Sequence, residues 1–432
     1  MKFHRRTFLG GSLGAPLAGM AAQGQARPNE AIQRARDAAL EILRPSRTQL
    51  EHGLELHRNS LVFDAYGFAP RSALDGDAIR TAMEDGASDI ELQDLREEMN
   101  MTRCVTAAAE RAEFQEAWKA AGVTCIFQNC GEESQDPLVL LKRLARFTYV
   151  TDMMRDFVQK AATPDDIVAA KKQNKQCLYF TGNGVPLTQA WVSVEDELRY
   201  VRVFFQLGIR MMHTTYNRRN MIGDGCAEPA NAGLSDFGRA AVAEMNRAGI
   251  IVDVAHSGWQ TSLETAKISK RPMVASHSGC AAVNRHIRCK PDEVIRAIAD
   301  TGGLIGICCI PSFLGRSSDI AALLDHIDYV AKRFGTDYVA IGTDVAYMSR
   351  NAEAENKKIQ RAPRARTRFA ALWPPNALGA ASSRQTLSLA WTNWPMFTVG
   401  MVQRGYSDAD IRKILGGNML RVARAALPPR SE

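Results

Sequence analysis

At 432 residues, with 46% hydrophobic and 23% charged side chains, the chain has an ordinary globular composition and ample material for a core. A formal charge of +7 is too small a surplus for this length to point to nucleic acid. The length admits two or three domains, but a single α/β barrel with extensions fits it as well.

The first 26 residues read as an export signal. "MKFHRRTFLGG" pairs two arginines with Phe8 and Leu9, a mild Gly-rich apolar run follows, and "GQA" at 24–26 supplies small residues for cleavage. That pattern predicts twin-arginine export to the periplasm or beyond, with no lipid-anchor cysteine. Its removal takes Lys2, Arg5 and Arg6 and no acid, lowering the formal charge to +4. No 18-residue apolar run follows, so no membrane span is expected. The nine cysteines have no CxxC spacing, and several (Cys177, Cys308, Cys309) sit in apolar strand-like runs. Buried thiols are expected for most of them, although export permits a disulfide.

Residues 30–58 read as one charged helix. Short apolar runs then recur at 61–66, 121–128, 177–181, 208–216, 250–255, 272–276, 303–309 and 338–343. Amphipathic stretches at 137–162, 192–206, 236–247, 291–300 and 319–334 lie among them. Continuous apolar strands alternating with helices predict a parallel sheet covered on both faces. About eight of them predict closure into a (β/α)8 TIM-type barrel spanning 27–432 as one domain. The runner-up, an open doubly wound sheet, lacks a GxGxxG after the first strand. Residues 349–385 are basic, Pro-interrupted and aperiodic, and read as a long loop after the last strand, where barrel loops line the active-site mouth. The final segment reads as a helix with Ser407 as N-cap and Gly416-Gly417 as a stop, followed by a second short helix.

Polar groups closing apolar strands are the informative ones. "IIVDVAHSG" reaches His256, "PMVASHSG" reaches His277 and "YVAIGTDVAYM" reaches Asp344. Each needs a partner or solvent at the strand end. One such histidine is more often structural; two from consecutive strands plus an aspartate form a Zn²⁺ ligand set with room for water. Asp344 could also take the proton of the attacking water.

Here the chain resembles the membrane (renal) dipeptidase family, peptidase family M19 of the amidohydrolase superfamily. The carrying stretches are "LGIRMMHTTYNRRNMIGDG" (207–225), "GLSDFGRAAVAEMNRAGIIVDVAHSG" (233–258), "SHSGCAAVNRHIRCKPDEVIRAIADTGGLIGI" (276–307), "IGTD" (341–344) and "RGYSDADIRKILGGNMLRV" (404–422). The resemblance implies a binuclear zinc barrel that hydrolyses dipeptides and related amides. It places the second metal's histidines on His256 and His277, the first metal's aspartate on Asp344, and the substrate-carboxylate arginine on Arg288. Such an arginine grips a carboxylate through two parallel hydrogen bonds; by itself Arg288 would read as a surface charge. Pairing of two barrels into a homodimer is also implied.

Departures are equally specific. The family's opening His-x-Asp falls on Tyr66 and Phe68, its bridging glutamate on Thr181, and its substrate-contacting histidine on Tyr216. His213, three residues before Tyr216, reads as a local structural histidine. A first metal reduced to Asp344 is expected to be lost. At most one Zn²⁺ is expected, held by His256, His277 and a swinging Asp344, or none. Tyr66 and Tyr216 are expected to fill the vacated space. Three readings follow: an exported hydrolase of dipeptides or small N-acyl amino acids; a catalytically silent barrel binding a small carboxylate ligand or a partner; or a maturation step on a secreted peptide natural product.

Overall fold

The computed structural model describes residues 29–131, 136–359 and 371–427. The expected export signal and residues 360–370 of the long loop lie outside the described residues.

Ten strands form one parallel sheet system: β1 (Phe63–Gly67), β2 (Cys125–Asn129), β3 (Val158–Lys160), β4 (Gln176–Gly182), β5 (Ile209–His213), β6 (Ile251–Asp253), β7 (Val274–Cys280), β8 (Cys289–Lys290), β9 (Leu304–Ile307) and β10 (Val339–Ile341). Eight of them run β1-β2-β4-β5-β6-β7-β9-β10, while β3 adds to β4 and β8 to β7. These eight are the eight apolar runs of the sequence. The ring closes where the Asp344 amide donates to the Tyr66 carbonyl at 3.0 Å. Beside that seam, the buried Asp64 of β1 accepts from the Thr343 amide at 2.9 Å and hydroxyl at 2.6 Å, and from Trp391 Nε1 at 3.2 Å. Burial pushes the Asp64 carboxyl up to about 7 against these donors. The architecture is a (β/α)8 barrel.

Strand side chains alternate between two apolar layers. Phe63, Phe127, Tyr179, Met211, Ile251, Val274 and Leu304 fill the barrel interior. Ile126, Leu178, Met212, Val252, Ile305 and Ile341 face the surrounding helices. The last helix, Asn418–Ala426, adds Met419, Val422 and Ala426 to the interior cluster and plugs one end of the barrel. No described helix is long and apolar enough to cross a membrane. All nine cysteines are unbridged; eight are buried and Cys226 is partly exposed.

Three expectations are corrected. The helix expected over 30–58 is two, Glu30–Leu43 and Arg47–Asn59. Arg44 turns left-handed (φ +46°) before Pro45, and Ser46 restarts the helix with a capping box to Gln49. The helix expected over 137–162 ends at Met153, and β3 follows. Gly416-Gly417 do not stop the C-terminal helix. They continue it as a π-type turn, Lys413–Gly417, because a Cβ at Gly416 would sit 2.6 Å from the Leu61 carbonyl. Glycine there permits contact with β1 rather than termination. Ser407 caps as expected, accepting from the Asp410 amide at 3.1 Å.

Candidate functional site

Parallel strands deliver their C-terminal side chains to one rim. β5 and β6 pair with His213 opposite Asp253. His256 lies in the turn after β6, and His277 projects from β7. A ligand nitrogen from each of His213, His256 and His277 lies within 4.8 Å of the others, and all three side chains are buried. No other such group occurs among the described residues. Asp344 does not belong to it.

The hydrogen-bond partners set the tautomers. His213 Nδ1 lies 3.0 Å from the Gly182 carbonyl, which can only accept, so Nδ1 carries the proton. His256 Nδ1 lies 2.7 Å from Asn217 Oδ1, again as donor. His277 Nδ1 lies 2.8 Å from Ser276 Oγ. Ser276 directs its own proton to Asp253 in a short hydrogen bond, so His277 Nδ1 is the donor here too. With the proton on Nδ1 in both rings, the bare Nε2 lone pairs of His256 and His277 converge. His256 and His277 face each other Nε2 to Nε2 at 3.0 Å. His213 Nε2 approaches Asp253 Oδ2 to 3.0 Å, an ion-pair distance, yet makes no hydrogen bond among the described residues.

Burial first, and then the Arg288 cation, hold His256 and His277 well below the ordinary histidine value, so both rings are neutral. Burial pushes Asp253 up, but the His213 contact and the Ser276 hydrogen bonds outweigh it and leave the carboxylate below its ordinary value. Converging neutral imidazole lone pairs are unfavourable in a dry site and are relieved by a cation. Three imidazoles leaving one position open are a zinc ligand set. The residues fit one metal ion, with His213, His256 and His277 as the nitrogens that would hold it.

The positions where the resemblance implied metal or substrate ligands hold three aromatic rings and a threonine. Tyr66 stacks on His277 (centroids 3.8 Å, 16°) and Tyr216 on His256 (4.1 Å, 24°). Phe68 meets Tyr66 edge-on at 6.0 Å and lies under the Arg71 guanidinium. Thr181 turns its hydroxyl to the Met211 carbonyl at 3.0 Å, bracing β4 on β5. So placed, Phe68 offers a second metal no ligand atom and the Thr181 hydroxyl is committed to the Met211 carbonyl.

Arg288 is fully buried, not a surface charge. Its Nη2 donates to the His277 carbonyl at 2.9 Å, its guanidinium lies over Phe313 at 5.1 Å, and Nη1 has no partner among the described residues. Three residues escaped the sequence reading besides His213. Asn217 and Ser276 set the tautomers described above, and Lys290 holds the His256 turn from behind, donating to the Ser257 carbonyl at 2.6 Å. Burial lowers the Lys290 ammonium to about 7. His213 closes an apolar strand just as His256 and His277 do, and that shared pattern was the available signal.

A cavity of about 620 Å³ opens over the site, lined at this end by Tyr66, Tyr216, His256, Phe313, Asp344 and Trp373. Asp344 stands in the left-handed region at φ +56°. Aspartate tolerates that conformation better than most residues.

The chain was compared with known proteins. The model of the membrane dipeptidase family (peptidase family M19) matches residues 51–358. The dipeptidase tcpJ of Claviceps purpurea is 26% identical over 64% of this chain and 57% of its own length. Dipeptidase verJ of Clonostachys rogersoniana is 28% identical over 51% of this chain and 50% of its own. This chain thus spans about half the length of the curated relatives it matches. The crystal structure of an amidohydrolase from Pseudomonas aeruginosa superposes with a TM-score of 0.61 at 26% identity, covering 87% of this chain and 98% of that one. A matching model over most of the chain and a shared barrel agree with the strand-end histidines: this chain belongs to the membrane dipeptidase family, peptidase family M19.

Proposed function

We propose that this protein is an exported hydrolase of the amide bond in dipeptides or small N-acyl amino acids, working with a single zinc ion. The observation that carries the reading is the convergence of the His213, His256 and His277 nitrogens, with His256 on the wall of the cavity. When bound, zinc polarises an amide carbonyl and lowers the pKa of a water molecule. The chain's own residues do the rest. His256 and His277 present neutral Nε2 atoms because Asn217 and Ser276 hold the Nδ1 protons. Asp344, on the cavity wall, takes the proton of the attacking water. Arg288, buried behind the Phe313 ring that lines the cavity, supplies the cation for the substrate carboxylate once that ring moves aside. Tyr216 stacks over His256 and borders the substrate.

The test is elemental analysis of the purified protein together with turnover of a dipeptide panel. About one zinc per chain and amide cleavage, both lost in His277→Ala, are expected. Unchanged turnover in that variant would overturn the reading.

A second reading, a silent barrel that binds a small carboxylate without cleaving it, is favoured by the two tyrosine rings that cover the imidazoles. It predicts ligand uptake weakened by Arg288→Ala and no cleavage under any metal.

A further inference from the structure

The cavity extends well beyond the histidines, and its far side differs in chemistry from its mouth. Met101, Phe114, Phe147, Val150 and Leu178 line it there, with Phe68 between the two ends. These come from the helices Asp89–Thr106, Ala108–Ala121 and Pro137–Met153 and from β4. The polar groups of this arm are largely committed to the protein. Gln128 accepts from the Ala69 amide at 2.6 Å and donates to the Asn129 carbonyl at 2.8 Å. Asn129 Oδ1 accepts from the Gly131 amide at 2.8 Å. Glu97 and Arg143 neutralise each other through two hydrogen bonds of 2.7 and 3.0 Å. Asn183 also lines the cavity, but its Oδ1, which has no partner among the described residues, is buried out of reach of the cavity space.

A cavity of about 620 Å³ is in the range that encloses a drug-sized ligand, roughly 300–1,000 Å³. Two small residues would leave much of it to water held against apolar walls, and filling that space with apolar surface is favourable. Phe68 adds one more aromatic face to the passage between the ends.

We propose that this arm is a subsite for a large aromatic group, such as a phenyl, phenolic or indole side chain on the amino-acid or acyl part of the ligand. The proposal rests on the amide-hydrolase reading for what lies at the cavity mouth, but it can be tested by binding alone.

Calorimetric titration of the full chain with N-acetyl-tyrosine, N-acetyl-phenylalanine and N-acetyl-alanine is the experiment. Both aromatic derivatives are expected to bind at least tenfold more tightly than the alanine derivative. Met101→Trp, which fills the arm, should remove the aromatic preference. Phe147→Ala, which removes an aromatic face from the lining, should weaken both aromatic probes and serves if Met101→Trp does not fold. Equal affinities for the three probes, no binding of any, or a preference untouched by both substitutions would overturn the subsite. Arm-dependent aromatic binding without cleavage of any amide would retain the subsite and remove the hydrolase reading. Cleavage of small dipeptides with no aromatic preference would do the reverse.

Discussion

His57 ties the protein's stability to pH through one buried ring. It sits on the helix Arg47–Asn59, 2% exposed, with Nδ1 at 2.8 Å from Thr398 Oγ1 and Nε2 at 2.8 Å from the Ala121 carbonyl. The carbonyl requires Nε2–H, so a neutral ring accepts from the threonine through Nδ1 and joins three helices. Burial lowers its pKa from 6.5 to about 4. The sign follows from proton counts: between these values the unfolded chain binds a proton that the folded one refuses. The stabilisation is therefore present above about pH 6.5 and is lost as pH falls towards 4. At about 1.4 kcal/mol per pH unit, the full window is worth roughly 3 kcal/mol. Urea unfolding of wild type and His57→Gln at intervals from pH 7.5 to pH 4 measures it. Their stability difference should shrink by about 2–3 kcal/mol as pH falls, since the neutral glutamine does not titrate. A pH-independent difference would refute the argument. His256 and His277 contribute equally to both proteins and cancel.

Four further outcomes are expected. His213→Ala should lower zinc occupancy well below one per chain after dialysis at micromolar zinc, measured by elemental analysis; full occupancy would assign His213 to a pair with Asp253 only. Asp253→Asn should weaken zinc binding by about 10–100-fold by loosening Ser276 and His277, readable by competition with a chromogenic chelator. Arg288→Met should reduce N-acyl amino-acid uptake at least tenfold while costing less than about 1 kcal/mol of stability, because an apolar side chain replaces a buried cation without leaving a partner charge. Gly416→Ala should cost roughly 1–3 kcal/mol by pressing a methyl group onto the Leu61 carbonyl, visible as a lower urea midpoint.

The strands and their order were legible in the residues because a buried parallel sheet demands continuous apolar runs, and each of the eight runs became a barrel strand. His256 and His277 were legible because a polar side chain closing such a run has few other uses. Tyr66, Phe68 and Thr181 stood out because the resemblance implied metal ligands at those positions. The role of neighbours across the barrel was not legible. His213 carried the same strand-end pattern, but only the ring of strands brings its Nε2 to the other two, from a residue 43 positions before one and 64 before the other. Arg288 read as a surface charge because nothing in "NRHIRC" reveals that β8 adds to β7 and buries it. Gly416-Gly417 read as a stop because the sequence does not show the β1 backbone that requires the missing Cβ. Periodicity and residue type determine elements and their inner faces. Distances between side chains on different strands, and with them tautomers, stacking and the cavity's far arm, exist only once the barrel closes.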